Sequence, residues 1–229
     1  EMTRPVTKVV LETVVGLVEA YVKIGDDGLV ESVSFENIPS FLLYKDAEVD
    51  VPEIGKIKTD IVYGGNYYGF VASDYMGLKV DPKNSKLFKH YGALIKKAIN
   101  ETLDISHPAL DFIHGVDNIT FYSEPTLPGA DVKNVHYFAD GQLDRSPGGT
   151  ASCAWVARRV GRGEMKIGEE FVVEGLAGVG TFIGTALENV KIGDVDAVRT
   201  RITGRAFITG FQTIVIDPRD PAKYGFVID

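Results

Sequence analysis

The sequence predicts an α+β fold, because strand-like patterns recur along most of the chain and only two long segments have helical spacing. The strand-like segments are rich in β-branched residues and are separated by Gly, Pro, Asn and Asp. No Pro- or Ser-rich linker and no low-complexity segment divides the 229 residues. We therefore expect one large domain, or two lobes that strands connect directly.

Composition and charge restrict the partners that this protein binds. The chain is 45% hydrophobic and 24% charged, which is typical of a soluble globular protein. Its net charge of -8 and isoelectric point near 5.1 argue against a general affinity for nucleic acid or anionic membrane. The basic pair Arg158-Arg159 does not change this expectation, because it is interpreted as part of a solvated helix face.

The cysteine count and the apolar runs bear on location. The single cysteine, Cys153, excludes an internal disulfide framework and a cysteine-rich zinc site. Residues 1–5 lack the basic and then apolar order of a signal peptide, and no apolar run approaches the roughly 20 residues of a membrane helix. We therefore expect a cytoplasmic protein.

The beginning of the chain predicts a small antiparallel sheet. Residues 7–24 are rich in β-branched residues and are interrupted by Gly16, so we expect two strands that meet at the glycine. A turn at Asp26-Asp27-Gly28 precedes an alternating strand at residues 30–35, which residues 37–40 close.

Two further strands, at residues 57–63 and 67–72, flank Gly64-Gly65-Asn66. Adjacent glycines allow positive φ and let another group approach the backbone closely. The later strand predictions cover residues 118–122, 132–138, 169–174, 180–187, 197–202 and 206–215.

Two helices are predicted. The first covers residues 84–103, with Asn84 or Ser85 as its N-cap. Its apolar stripe consists of Leu87, Tyr91, Leu94, Ile95 and Ile99. The second covers residues 150–160 and is expected to have one buried side, with glycines at 161 and 163 ending it. That side consists of Ala151, Ala154, Trp155 and Val160.

The loop before the second helix has the composition of an anion site. Gly148-Gly149-Thr150-Ala151 places free backbone N–H groups at the positive end of a helix dipole, where a carboxylate or phosphate binds. Asp144 could hold a cationic group of the same ligand, and a small ligand with both charges is an amino acid. The alternative is that Asp144 caps a turn or pairs with Arg145.

The loop also resembles a known motif. Asp144-Arg145-Ser146-Pro147 followed by Gly149-Thr150 is similar to the second active-site motif of the proline racemase family, which includes hydroxyproline 2-epimerases and trans-3-hydroxyproline dehydratases. Further resemblances occur in the family's order at Glu12-Thr13, Gly16-Leu17-Val18, residues 37–41, residues 60–68, His107-Pro108, Ile208-Thr209-Gly210, Asp217-Pro218 and Gly225-Phe226.

The resemblance implies a chemistry and a set of binding residues. Members of the family take the α-proton of a proline-type amino acid with a cysteine thiolate, and racemases and epimerases return it from the opposite face with a second cysteine. The amides of Gly149, Thr150 and Ala151 would hold the substrate carboxylate, and Asp144 would receive the ring ammonium. Phe138 would pack on the pyrrolidine ring, with a plain core aromatic as the alternative.

Two departures from the family concern the cysteines. Gly148 stands where racemases and epimerases carry the second cysteine and dehydratases typically carry threonine. Cys153 is expected to be a buried packing residue on the helix rather than a substitute. The family's Cys-Gly-His motif is also missing, so the chain is expected to start about a third of the way into the family's length. It is then a truncated product, a chain whose other half is a separate polypeptide, or a naturally short protein.

The resemblance implies a two-lobed fold like that of diaminopimelate epimerase, in which each lobe is a mostly antiparallel sheet wrapped around a helix. On this basis residues 1–40 are a remnant of the first lobe, residues 41–208 the second lobe, and residues 209–229 a return to the first. The first lobe would be incomplete and would leave apolar strands exposed.

The functional hypotheses follow from Gly148. A trans-3-hydroxy-L-proline dehydratase-like reaction with one base is favoured over a proline racemase or 4-hydroxyproline 2-epimerase reaction. An amino-acid-binding homologue without catalysis is a second hypothesis. A third is that the chain acts only with a partner, either as a homodimer or with a polypeptide that carries the missing half.

No cofactor and no metal are expected, since the resemblance implies cofactor-independent chemistry and the histidines lack ligand spacing. Each histidine is interpreted as structural or exposed: His90, His107, His114 and His136.

Overall fold

The computed structural model describes residues 3–13 and 16–225. Two α-helices occur in these residues, α1 (Ser85–Thr102) and α2 (Gly149–Gly161), with short 3-10 helices at Ser73–Met76 and Pro82–Asn84. The strands are β1 (Val6–Thr13), β2 (Gly16–Ile24), β3 (Val30–Glu36), β4 (Phe41–Val51), β5 (Gly55–Tyr63), β6 (Tyr67–Ala72), β7 (Ser106–His107), β8 (Leu110–His114), β9 (Asn118–Ser123), β10 (Val132–Phe138), β11 (Gln142–Leu143), β12 (Glu170–Glu174), β13 (Thr181–Ile192) and β14 (Val195–Gly204). The α+β prediction is confirmed.

One large sheet wraps around α2. Its strand order is β1-β2-β3-β14-β13-β12-β10-β9-β6-β5-β4, and all neighbours are antiparallel except β10 with β12 and β6 with β9. Ser40, just before β4, exchanges backbone hydrogen bonds of 2.9 and 2.8 Å with Val198 of β14. The strands from β14 to β4 therefore close into a ring, and α2 contacts strands on both sides of it.

Two apolar cores lie on the two faces of the sheet. Around α2, Trp155 packs against Phe70 and Phe171. On the other face, α1 buries Phe88 and Ile99. Successive residues of a strand point to opposite faces, so neighbours in β6 divide between the two cores.

The β1–β3 region extends beyond the ring as an antiparallel arm, and β3 pairs with β14. The predicted strands on either side of Gly16 are confirmed, although residues 14–15 between them lie outside the described residues. Val10 and Leu11 of β1 are half exposed, at 51% and 50%. Apolar strand surface is thus exposed in this arm, as expected from the sequence.

The prediction of a single buried side on α2 is wrong. All residues from 151 to 157 are buried, because the sheet surrounds the helix. The expected solvated face at Arg158-Arg159 is also wrong at Arg158, whose Nε donates to Oδ2 of the buried Asp60 at 2.6 Å. Cys153 is fully buried, as predicted.

Helix α1 was predicted with a slightly wrong face. Its buried residues include Phe88, Ile95 and Ile99, whereas Leu87 is 42% exposed. Asn84 is the N-cap position, but its side chain makes no capping hydrogen bond, and its amide nitrogen donates to the Lys79 carbonyl.

The predicted strand at residues 206–215 is absent. These residues are irregular and exposed, and the side chain of Phe211 is 93% exposed. A strand needs a partner for its backbone hydrogen bonds, and within residues 3–13 and 16–225 this segment has none. Among the described residues, no helix is long and apolar enough to cross a membrane.

Candidate functional site

A hairpin delivers the candidate loop to the start of α2. Phe138 pairs with Gln142 and Tyr137 with Leu143, so β10 and β11 turn back on each other. The Asp144 N–H then donates to the His136 carbonyl at 3.1 Å. Residues 145–148 follow, and α2 begins at Gly149 with Gly148 as its N-cap.

Asp144 organises the loop through Ser146. Its Oδ1 accepts from the Ser146 N–H at 2.8 Å and its Oδ2 from the Ser146 hydroxyl at 3.0 Å. The Gly148 N–H donates to the same Ser146 oxygen at 3.2 Å. The turn-capping alternative for Asp144 is therefore present in the structure. The carboxylate is also half-buried and keeps lone pairs for a second donor.

The first turn of α2 presents backbone donors. The Ser152 N–H makes the first bond of the helix, to the Gly148 carbonyl at 2.9 Å. Within residues 3–13 and 16–225, the N–H groups of Gly149, Thr150 and Ala151 have no acceptor. The positive end of a 13-residue helix therefore carries three unpaired amides. Gly149 and Thr150 are partly exposed, and Ala151 is buried.

The glycine pair between β5 and β6 packs directly against this turn. A Cβ on Gly65, whose φ is +114°, would lie 2.9 Å from Thr150 Cγ2, and one on Gly64 would lie 2.7 Å from the Ala154 nitrogen. The Asn37 side chain donates to the Gly64 carbonyl at 3.0 Å. The close approach that the sequence predicted at this pair is confirmed.

Tyr68 fixes the side chain of Thr150. Their hydroxyls share a hydrogen bond of 2.6 Å, and burial raises the pKa of Tyr68 to about 12, so the phenol stays protonated at neutral pH. The sequence contained Tyr68 only as part of the resemblance at residues 60–68, and its role here comes from the pairing of distant segments.

His136 lies beneath the loop. Its Nε2 donates to the Pro147 carbonyl at 2.9 Å, so Nδ1 is the acceptor from the Thr120 hydroxyl at 2.9 Å. The Asn134 side chain donates to the same Pro147 carbonyl at 3.2 Å. Burial lowers the pKa of His136, although the charge of Asp144 opposes this. The imidazole is thus a neutral structural support of the loop.

Phe138 and Cys153 differ in their relation to the loop. The Phe138 side chain is 37% exposed at the end of β10, so it is not a core aromatic. Its alternation with His136 along the strand puts the two on one face of β10. Cys153 lies inside the protein, where burial raises its pKa to about 11 and Asn37 approaches its sulfur at 3.3 Å. It is not a nucleophile at neutral pH.

No group of three or more His, Cys, Asp or Glu side chains in the described part of the chain could hold a metal ion. His90 is exposed and contacts Glu53, His114 is exposed, and His107 and His136 are buried. The absence of a metal or organic cofactor stays a prediction.

Comparisons with known proteins agree with the loop motif. The family model described as proline racemase matches residues 1–227. A proline racemase of Clostridioides difficile is 42% identical over 224 residues, which cover 98% of this chain and 66% of that protein. A 4-hydroxyproline 2-epimerase of Cereibacter sphaeroides is 36% identical over 222 residues, 97% of this chain and 66% of that protein.

Solved structures give the same result. A hydroxyproline epimerase from Agrobacterium vitis with bound trans-4-OH-L-proline aligns with a TM-score of 0.88 at 34% identity, covering 100% of this chain and 65% of that one. A Bacillus anthracis phenazine biosynthesis protein of the PhzF family, at 12% identity and a TM-score of 0.52, shares the fold alone. The chain spans about two thirds of the length of these racemase and epimerase relatives. By the match over nearly its entire length, the chain belongs to the proline racemase family.

Proposed function

We propose that the N-terminus of α2 binds the α-carboxylate of proline or a hydroxyproline. The observation that carries this proposal is the set of unpaired N–H groups at Gly149, Thr150 and Ala151. Three aligned donors and the helix dipole suit a carboxylate. The two partly exposed donors, at Gly149 and Thr150, make the direct contacts, and the buried amide of Ala151 adds to the local positive potential.

The other end of the ligand is assigned to Asp144. Its carboxylate lies in the same loop and has accepting capacity left after its bonds to Ser146. A ring ammonium there makes a charge-assisted hydrogen bond. Phe138, exposed on the same hairpin, is proposed to cover the pyrrolidine ring.

The proposed reaction of a polypeptide that spans the length of the relatives is cofactor-independent proton abstraction at the α-carbon. The α-proton of an amino acid is very weakly acidic, so the amides must stabilise the developing enediolate while a base takes the proton. Cys153 cannot be that base, because it is buried and its pKa is raised to about 11. The family resemblance assigns this step to the cysteine of the Cys-Gly-His motif.

Gly148 favours elimination over inversion. Glycine has no group that returns a proton to the opposite face, whereas elimination needs none there. With trans-3-hydroxy-L-proline, the α-C–H and C3–O bonds break, a Cα=C3 double bond forms, and the proton and hydroxide leave as water. The product is a pyrroline carboxylate. A trans-3-hydroxyproline dehydratase-like reaction is therefore the first proposal.

Two other functions are each supported by one observation. Proline racemisation or 4-hydroxyproline 2-epimerisation is supported by the similarity to relatives with those names. Binding of the amino acid without catalysis is supported by Gly148, which has no side chain to take or return a proton. A cytoplasmic location and a partner, as a homodimer or with a separate polypeptide, stay predictions.

Isothermal titration calorimetry with the 229-residue chain tests the binding proposal. L-Proline and pyrrole-2-carboxylate are expected to bind, and Asp144→Asn is expected to raise the Kd of proline about tenfold or more, since a hydrogen bond to a charged group contributes about 1.5–3 kcal/mol. Asp140→Asn, exposed in the same hairpin, is the control and should leave the Kd unchanged. If neither ligand binds at millimolar concentration, the proposed site is wrong.

Proton NMR in D2O tests the reaction in a polypeptide of the relatives' length. Elimination predicts that trans-3-hydroxy-L-proline disappears and a pyrroline product accumulates. Racemisation of proline without this product would reverse the order of the first two proposals. Binding without either reaction would support the third.

A further inference from the structure

The space beside Gly148 is already filled. A Cβ on Gly148 would lie 2.7 Å from Nε2 and 2.9 Å from Cδ2 of His136, and 2.9 Å from the Cβ of Ala151. Atoms this close overlap, so something would have to move. The backbone adds a second obstacle, because Gly148 has a φ of +79°, which residues with a side chain rarely adopt.

The imidazole of His136 has little freedom to retreat. One ring nitrogen is bonded to Pro147 and the other to the fully buried Thr120, each at 2.9 Å. The residue is 3% exposed, and the Tyr68 ring packs edge-on against it with 5.9 Å between ring centroids. A ring held at both nitrogens and by a neighbouring aromatic behaves as part of the core.

The same imidazole sets the geometry of the loop. Its bond to the Pro147 carbonyl is made immediately before Gly148, and the unpaired amides begin at the next residue, Gly149. Asn134 donates to that carbonyl as well. A displacement of the ring would therefore move the peptide that leads into the first turn of α2.

We propose that His136 is a positioning and specificity-determining residue, which occupies the side-chain space of residue 148 and fixes the loop so that acid–base chemistry reaches the ligand from one face only. This inference rests on the proposed binding of an amino acid at the start of α2. His136 itself is buried against Pro147 and Thr120 and is not assigned contact with the ligand. Gly148 and His136 therefore fit each other, and a cysteine at position 148 needs a smaller residue at position 136.

A double-mutant cycle in the 229-residue chain tests whether the side chains of residues 136 and 148 compete for the same space. Gly148→Cys is expected to lower Tm by about 5 °C or more, since overpacking typically costs 1–3 kcal/mol and 1 kcal/mol corresponds to about 2–4 °C at this size. In a His136→Val background the same change should lower Tm by less than in the unsubstituted chain, because the ring is gone while the contact with Ala151 and the positive φ remain. Equal losses in both backgrounds would overturn the proposal.

Two controls separate the contact from other effects. Gly141→Cys has a positive φ of +114° with nothing within 4 Å of the added Cβ, so its cost reports backbone strain and should be the same in both backgrounds. His136→Gln keeps a side-chain amide that can donate to Pro147. It should keep the Kd of proline within about twofold, whereas His136→Val should raise it at least fivefold. If Gln and Val weaken binding equally, His136 has no positioning role.

The reaction supplies a further readout in a polypeptide of the relatives' length. With a thiol at 148 and space for it, the His136→Val, Gly148→Cys double variant is expected, at saturating proline, to incorporate deuterium with inversion at least tenfold faster than Gly148→Cys alone. Equal rates would contradict the specificity role. If the unsubstituted chain binds no proline, the proposed function fails, while the Tm cycle still decides whether the two residues compete for space.

Discussion

The two ends of α2 are held in opposite ways. At its C-terminal end, Arg158 and Arg162 bind the buried carboxylate of Asp60, and Arg162 also contacts Asp46 at 3.1 Å. The cations lie where the helix dipole is negative, and charge is balanced there within the protein. At the N-terminal end three N–H groups point away from the helix without an acceptor in the described residues.

The N-terminal end of α2, called the open end because its N–H groups are unpaired in the described residues, is nevertheless rigidly supported. Gly64 and Gly65 pack against its first turn, and neutral hydrogen bonds from Tyr68 and His136 hold Thr150 and Pro147. The difference lies in how the helix ends are satisfied: ion pairs complete one end, while the other has firm packing and unpaired N–H donors. Unpaired donors on a well-supported frame are the features of a preorganised binding site, which supports the proposal that an amino acid binds at this end.

Removing the carboxylate charge at the C-terminal end of α2, the closed end, should have the largest effect on the free energy of unfolding. Asp60→Asn preserves the volume but leaves Arg158 and Arg162, whose side chains are 13% and 18% exposed, without their main counter-charge. Breaking a buried ion pair from one side costs about 3–5 kcal/mol. Urea unfolding should show a loss of about 3 kcal/mol or more.

The control for this loss is an exposed pair. Asp196, with a side chain that is 92% exposed, pairs with Lys191 at 2.8 Å, and Asp196→Asn should change stability by less than about 1 kcal/mol. Similar losses for the two variants would mean that the C-terminal end of α2 is not fixed by its charges.

A smaller effect is expected from tightening the contact at the open end. Gly65→Ala places a Cβ 2.9 Å from Thr150 Cγ2, and the residue has a φ of +114°. Gly141→Ala has the same φ with nothing within 4 Å, so it measures the backbone strain alone. We expect Gly65→Ala to cost about 2–3 kcal/mol in urea unfolding and Gly141→Ala about 1 kcal/mol. Equal costs would show that the first turn of α2 yields easily.

Local patterns in the sequence were sufficient to predict most elements. Alternating apolar and polar residues, bounded by turn residues, located β5, β6, β9 and β10. These signals come from residues that are neighbours in the chain. Strand β4 was missed, since its polar centre at Lys45-Asp46 hides the alternation and Asp46 takes a positive φ of 51°. The strand predicted at 206–215 was wrong because pairing depends on a partner that local patterns do not reveal.

The same limit applies to the site. Asp144 and the loop at 148–151 could be found because they are contiguous and resemble a motif. Tyr68 lies 82 residues before Thr150 in the sequence, so no local pattern joins the two. His136 lies only 11 residues before Pro147, but it was classed with the other histidines as structural or exposed. Alternation in β10 offered one signal, since residues 134, 136 and 138 share a face that runs toward the loop.

The support beneath the open end predicts a pH dependence. Burial lowers the pKa of His136 in the folded protein, so below its ordinary value of 6.5 the unfolded chain binds a proton that the folded chain does not. Stability therefore decreases as the pH falls below about 6.5, by up to about 1.4 kcal/mol per pH unit from this residue. Unfolding between pH 7 and 5 should show a shallower decrease for His136→Gln than for the unsubstituted chain.

His90 provides the comparison for this slope. It is an exposed histidine that contacts Glu53 and lacks the burial of His136, so His90→Gln is the control substitution. If both substitutions change the slope equally, burial beneath the loop is not what couples His136 to stability.

The smallest expected effect is at the hydrogen bond that orients Thr150. Tyr68→Phe removes one hydroxyl and leaves the ring packed against His136 and near Phe70. The loss should be about 1 kcal/mol, since the Thr150 hydroxyl is partly exposed and can bond to water instead. Thr150→Val removes the other partner, and the double variant should cost no more than about the larger single loss, because both changes delete one interaction. Additive losses in urea unfolding would mean that the two hydroxyls act independently, and the open end of α2 would then be supported by the glycine pair and His136 alone.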